Sequence, residues 1–119
     1  MTSLVACLGS GKGTWIPVMK VAESPSWDQI FLIMPAFFAD KFENVRKNTT
    51  VIKIDENKDL PELIADIKQA FDGKLFADVA VNLMSGSGKE HMAVLAALLK
   101  LGCGIRLVAV TEKDVLKEL

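Results

Sequence analysis

Residues 76–110 read FADVAVNLMSGSGKEHMAVLAALLKLGCGIRLVAV. An apolar run, a serine and glycine loop, a long helical pattern and a second apolar run follow one another, which is the order of a βαβ crossover between parallel strands. The strands are read as Phe76 to Leu83 and Gly104 to Val110, and their near-continuous Val, Ile, Leu and Ala content suits strands covered on both faces. The helix runs from about Gly88 to Leu101, with Ser87 as N-cap, Glu90 as its partner at the third helical position and Gly102 at the stop. Its apolar residues, Met92 to Leu99 and Leu101, cover nearly the whole circumference. Such a helix is either a core helix buried on all sides or one that packs one face on the sheet and another on a second subunit.

The same alternation extends in the N-terminal direction. Apolar strands are expected at Ser3 to Leu8, Asp28 to Met34 and Thr50 to Ile54. Between the third and fourth strands, Leu60, Leu63, Ile64, Ile67 and Phe71 fall on one helical stripe, and Asp59 with Glu62 forms a capping-box pattern ahead of it. A first helix is read at Trp15 to Glu23, capped by Thr14 and with Pro17 inside its first turn, and a second at Ala36 to Lys47. Val115, Leu116 and Leu119 are expected to end a short terminal helix. Right-handed crossovers then give one α/β domain over residues 1–119, a Rossmann-like three-layer fold with a mainly parallel five-stranded sheet of order 3-2-1-4-5.

Composition limits what such a domain does. The 119 residues are 50% hydrophobic and 24% charged, which fits one packed core and excludes a disordered chain. Lys and Arg number 14 against 15 Asp and Glu. That balance gives no global positive field for duplex nucleic acid or a membrane surface, so any bound anion must be held locally. No apolar run reaches the roughly 20 residues of a spanning helix, and no secretory signal is visible, so a cytoplasmic setting is expected. Cys7 and Cys103 lie inside apolar segments without CxxC spacing and read as buried reduced thiols. No His, Cys, Asp and Glu cluster has metal-ligand spacing, and no metal or cofactor is expected.

In a doubly wound sheet the first and fourth strands meet at the switch point, and the loops leaving their carboxyl ends border the ligand crevice. Those loops are Gly9-Ser10-Gly11-Lys12-Gly13-Thr14 and Ser85-Gly86-Ser87-Gly88-Lys89-Glu90-His91, so GSGK occurs once in each half of the chain. Glycine lets backbone amides approach an anion, serine brings a hydroxyl and lysine a charge, and each loop opens a helix whose N-terminus favours negative charge. Either loop alone is ordinary turn and cap chemistry; the pair points to a phosphate-bearing ligand. Lys89 stands where the helix dipole disfavours a cation, which an anionic partner would offset. His91, the single histidine, lies in the first helical turn and is either a surface residue or one that orients a ribose or moves a proton. Trp15 either stacks on a base or packs its helix onto the sheet.

Two resemblances follow. Ala6 to Thr14, ACLGSGKGT, looks like the phosphate loop of adenylate kinases, but Ala6 stands where that pattern has glycine and Gly13 where it has serine or threonine. A phosphoryl-transfer enzyme also needs several arginines, and the chain has only Arg46 and Arg106. Over Leu4 to Thr111 the chain more closely resembles the CRISPR-associated Rossmann fold, or CARF, family. The residues that carry this are CLGSGKGTW after the first strand, the helix DLPELIADIKQAF, and VAVNLMSGSGKEHMAVLAALLKLGCGIRLVAV with its strand-ending Asn82, then Gly86 and Lys89. The resemblance implies a homodimer that binds a cyclic oligoadenylate, a second messenger of type III CRISPR antiviral defence, across its two-fold axis. It departs at the C-terminus, where such proteins usually continue into an effector domain.

For a standalone domain the resemblance implies a metal-independent ring nuclease, or a binding module that senses or sequesters the ring. The ligand-binding set is then Gly9, Ser10, Gly11, Lys12, Gly13, Thr14, Asn82, Ser85, Gly86, Ser87, Gly88 and Lys89. In the cleaving version the ribose 2′-hydroxyl attacks the adjacent phosphorus, Lys89 and Lys12 stabilise charge, Ser10 and Ser87 position the phosphate and His91 moves a proton. A third reading is a partner-binding subunit that acts through its apolar Met92 to Leu101 helix.

Overall fold

The computed structural model describes residues 2–9, 12–42, 46–75 and 77–119, with only the backbone of residue 12. Ser10 and Gly11, and the side chain of Lys12, lie outside the described residues. Strand β1 (Ser3–Cys7) is followed by a short 3-10 turn at Lys12–Thr14 and helix α1 (Trp15–Ala22). Then come β2 (Gln29–Pro35), α2 (Ala36–Ala39), β3 (Thr49–Ile54), α3 (Leu60–Phe71), β4 (Asp78–Asn82), α4 (Gly88–Lys100), β5 (Gly104–Val110) and β6 (Leu116–Glu118).

The sheet runs β3-β2-β1-β4-β5-β6, parallel throughout except for the last pair. Strand β1 is central, with Leu4, Val5 and Ala6 beside Ile30, Phe31 and Leu32 of β2 on one edge and Ala80, Val81 and Asn82 of β4 on the other. Period-two alternation divides the core. Val5, Cys7, Phe31, Ile33, Val79 and Val81 face α3 and α4, while Leu4, Ala6, Leu8, Ile30, Leu32 and Ala80 face α1. Both faces are buried, which is why the strands read as unbroken apolar runs rather than as alternating ones. On the α3 side Phe31 and Phe71 meet edge to face, with ring centroids 5.4 Å apart. The predicted α/β class, three layers and order of the first five strands are all present.

Three elements differ from the sequence reading. The expected terminal helix is strand β6, paired antiparallel with β5 through Val110 and Leu116. Strand β5 offers residues 116–118 an edge on which their backbone groups pair. A tight turn returns the chain, with Asp114 at φ 57° and its N–H donating to the Thr111 carbonyl (2.9 Å). Of the helix expected over Ala36 to Lys47, a single turn is present at Ala36–Ala39, after which the chain passes through turns at 40–42, and residues 43–45 lie outside the described residues. Phe, Asp and Asn are weak helix formers, and no amphipathic stripe continues past Phe42. The fourth strand is described from Asp78, after Ala77 at φ 55°, outside the extended region, while Phe76 lies outside the described residues.

Helix α4 packs on the sheet by one face only. Ala93, Val94, Ala97 and Leu98 are buried on the sheet, but Met92 and Leu99 are 60% and 66% exposed, so it is not a helix buried all round. Cys7 and Cys103 are both buried free thiols.

Phe71→Ala removes a ring that is 1% exposed at the centre of the α3 layer. It is expected to lower the unfolding free energy by about 3–5 kcal/mol, read as a fall in the urea midpoint at unchanged slope.

Candidate functional site

Strands β1 and β4 are neighbours, so their C-terminal ends deliver the two GSGK-containing loops to one rim of the sheet. The joint is tight and backbone to backbone. A Cβ added to Gly9 would lie 2.6 Å from the Cα of Gly86, so only glycine allows this approach. The buried hydroxyl of Ser85 accepts from the Gly9 N–H (2.8 Å) and from the Thr14 hydroxyl (2.7 Å), which ties the second loop to both the start of the first loop and the start of α1. Gly9 is fixed from its other side as well, since its carbonyl accepts from Trp15 Nε1 at 2.6 Å.

Trp15 therefore holds the loop rather than offering a free ring; it packs edge-on against Phe38 and Phe42, each 6.2 Å away between centroids. Thr14 stands at the N-terminus of α1, but its hydroxyl faces Ser85 and makes no cap bond to the helix. Here the tertiary partner overrides the local capping preference. Asp59 similarly occupies the N-cap of α3 without a side-chain cap bond. Ser87 behaves as its sequence predicts. Its Oγ accepts from Glu90 N–H at 3.2 Å and Glu90 Oε1 accepts from Ser87 N–H at 3.3 Å, a complete capping box.

The side chains expected to meet ligand are more engaged with the protein than their sequence positions imply. His91 lies 2.7 Å from the Ser85 carbonyl through Nε2; a carbonyl only accepts, so Nε2 carries the ring proton and braces the loop. Lys89 donates from Nζ to the Glu56 backbone carbonyl at 3.0 Å, bridging α4 to the loop after β3. Asn82 is 1% exposed, donating to the Val108 carbonyl (2.9 Å) and accepting from Met84 N–H (3.1 Å). Gly13 and Gly88 are open, with no atom within 4 Å of an added Cβ. By helix geometry the Gly88 and Lys89 N–H groups belong to the first turn, where the helix itself supplies no acceptor.

Beneath the second loop, Gly86 at φ 97° lies over Cys7, Glu90 and His91; its added Cβ would fall 3.2–3.3 Å from an atom of each. A cleft of about 230 Å³ opens between the loops, lined by Gly9, Ser85, Gly86, Ser87, Glu90 and Glu56, with Thr14 and Met84 at its sides. Larger depressions of about 370 and 490 Å³ lie along the β5–β6 hairpin, away from both loops. Glu56 was not anticipated. The signal for it was present: it follows the third strand, whose carboxyl end must reach the same rim. Arg46 and Arg106 do not line the cleft; they stand within 3.6 Å of Glu23 and 3.0 Å of Asp78, the latter at the opposite end of β4. Among the described residues, no three His, Cys, Asp or Glu side chains gather as metal ligands. Nor is any helix among them long and apolar enough to cross a membrane.

Burial, and secondarily the charge of Glu90, push the pKa of the Cys7 thiol up to about 12 from its ordinary 9.0. No protein-family model matches the chain, and no curated protein matches it.

Gly9→Ala is expected to lower stability by about 1–3 kcal/mol, while Gly13→Ala leaves it nearly unchanged, the contrast being read in parallel urea titrations. For Cys7 the folded state retains a proton that the unfolded thiol releases, so its contribution to stability is intact below pH 9 and declines as pH rises toward 12. The decline is about 1.4 kcal/mol per pH unit, so stability measured from pH 8 to 11 should fall less steeply in Cys7→Ala than in the parent chain.

Proposed function

We propose that the chain binds a cyclic oligoadenylate across a homodimer, holding the ring's phosphates at the two converging loops. The observation that carries this reading is the joint of Gly9, Ser85 and Gly86, which brings two glycine-rich loops and the N-terminus of α4 to the carboxyl ends of adjacent parallel strands. Parallel sheets of this topology take their ligands there. Amide groups of Gly88 and Lys89 with the Lys89 ammonium form an anion site at the mouth of the cleft, and a two-fold axis would present that site twice to a symmetric ring. The motif order that resembles the CARF family supports the same ligand class.

The outer face of α4 supports the dimer. Met92, Leu95 and Leu99 lie on one stripe opposite the buried residues, and a second copy of the chain would cover it. Retention has more support than cleavage. The proton on His91 Nε2 is directed to the Ser85 carbonyl, and Lys89 is oriented by Glu56, so both act as braces of a binding surface.

Labelled cyclic tetra- and hexa-adenylate incubated with the purified chain in EDTA should be retained intact by at least one ring size. Lys89→Ala should weaken that retention about tenfold or more, the scale of one charge-assisted hydrogen bond. Linear product that disappears in Lys89→Ala would assign cleavage instead, and failure to retain either ring would overturn the proposal.

A further inference from the structure

The cleft between the loops has acidic walls. Of its lining side chains among the described residues, Glu56 and Glu90 are the ionisable ones, while Lys89 is not among the lining residues and its ammonium donates to the Glu56 carbonyl. Glu90 is 4% exposed; Oε1 completes the capping box, but Oε2 is buried and has no hydrogen-bond partner. A buried acceptor left unmade is a standing cost to the fold, and native structures rarely carry one without a use for it. Capping does not require the acid, since glutamine closes the same box. A phosphate has no donor to give this oxygen and would be repelled by it. A neutral N–H or O–H group would satisfy it. The terminal torsion of a glutamate is soft, which leaves the carboxylate plane adjustable to a donor in the cleft that Glu90 lines. At about 230 Å³ the cleft is smaller than the roughly 300–1,000 Å³ of pockets that enclose whole ligands, which suits one moiety of a larger molecule.

We infer that this cleft is a nucleoside subsite in which Glu90 accepts a hydrogen bond from a ribose hydroxyl or a base amine, while the phosphates stay outside at Lys89 and the start of α4. The inference rests on the cyclic oligoadenylate reading and adds to it a specificity-determining residue. It divides the site by charge, donors inside and anions at the mouth.

Equilibrium dialysis of the full chain against cyclic tetra-adenylate, its all-2′-deoxy counterpart and its inosine counterpart tests this, with Glu90→Gln run in parallel. The expected result is that at least one counterpart binds the parent chain about tenfold or more weakly than the adenylate, the deoxy ring if ribose is the donor and the inosine ring if the amine is. Glu90→Gln should compress that preference to within about threefold while melting no lower than the parent, because the buried unpaired charge is gone. Equal binding of all three rings by the parent chain would overturn the inference and leave the oligoadenylate reading standing. Retention of none would remove both. A lower melting temperature of Glu90→Gln with uniform loss of all three rings would reduce Glu90 to a cap. Stabilisation of the parent but not of Glu90→Gln by magnesium alone would assign the oxygen to a cation, and either result would overturn the inference.

Discussion

The hydroxyl of Ser85 is the point through which the two halves of the chain are joined at the functional rim. It accepts hydrogen bonds from Gly9 and Thr14 at once, across separations of 76 and 71 residues, from a residue that is 1% exposed. The contact beside it, glycine backbone on glycine backbone, excludes side chains altogether. Much of the surrounding geometry follows from these constraints. Trp15 reaches the Gly9 carbonyl, His91 reaches the Ser85 carbonyl, and Gly86 adopts a positive φ so that the chain turns over Cys7 and Glu90 into α4. The second loop and the two ends of the first, Gly9 and Thr14, are thus fixed by sheet, helix and side-chain contacts within the chain.

Charge in this region is distributed differently from what a pair of lysine-bearing loops suggests. Glu56 and Glu90 line the cleft, while Lys89 is not among its lining residues and donates to the Glu56 carbonyl. A site read as a basic cradle becomes an amphoteric one, in which the position of a group, rather than the net sign of the surface, decides what it meets.

The fold was legible because the central strands β1, β2 and β4 are buried on both sides, so residues such as Leu4 to Leu8 and Ile30 to Met34 announce themselves by composition alone. Convergence of the loops was legible too, since topology places the ends of β1 and β4 together whatever the loops contain. The roles of polar side chains within the site were not. Asn82, Thr14 and His91 have the right types for binding, but a residue type states which hydrogen bonds are available and not which partner takes them. Asn82 is engaged by Val108 and Met84, and Thr14 by a serine 71 residues away. Glu90 was read as a cap, correctly, yet capping uses one oxygen and the other stays unpaired, a fact that depends on three-dimensional enclosure. The strand at 116–118 escaped for a related reason: its only determinant is the open border of β5.

That last strand has a further bearing on the molecule. Without it, the sheet would end at β5, a seven-residue strand carrying Ile105, Leu107 and Val110 and suited to template pairing with another polypeptide. Three residues running in the opposite direction, two of them the charged Lys117 and Glu118, satisfy that border and replace it with a shorter, less adhesive one. The hairpin thereby closes one margin of the sheet, and the seven-residue border of β5 no longer stands open on that side.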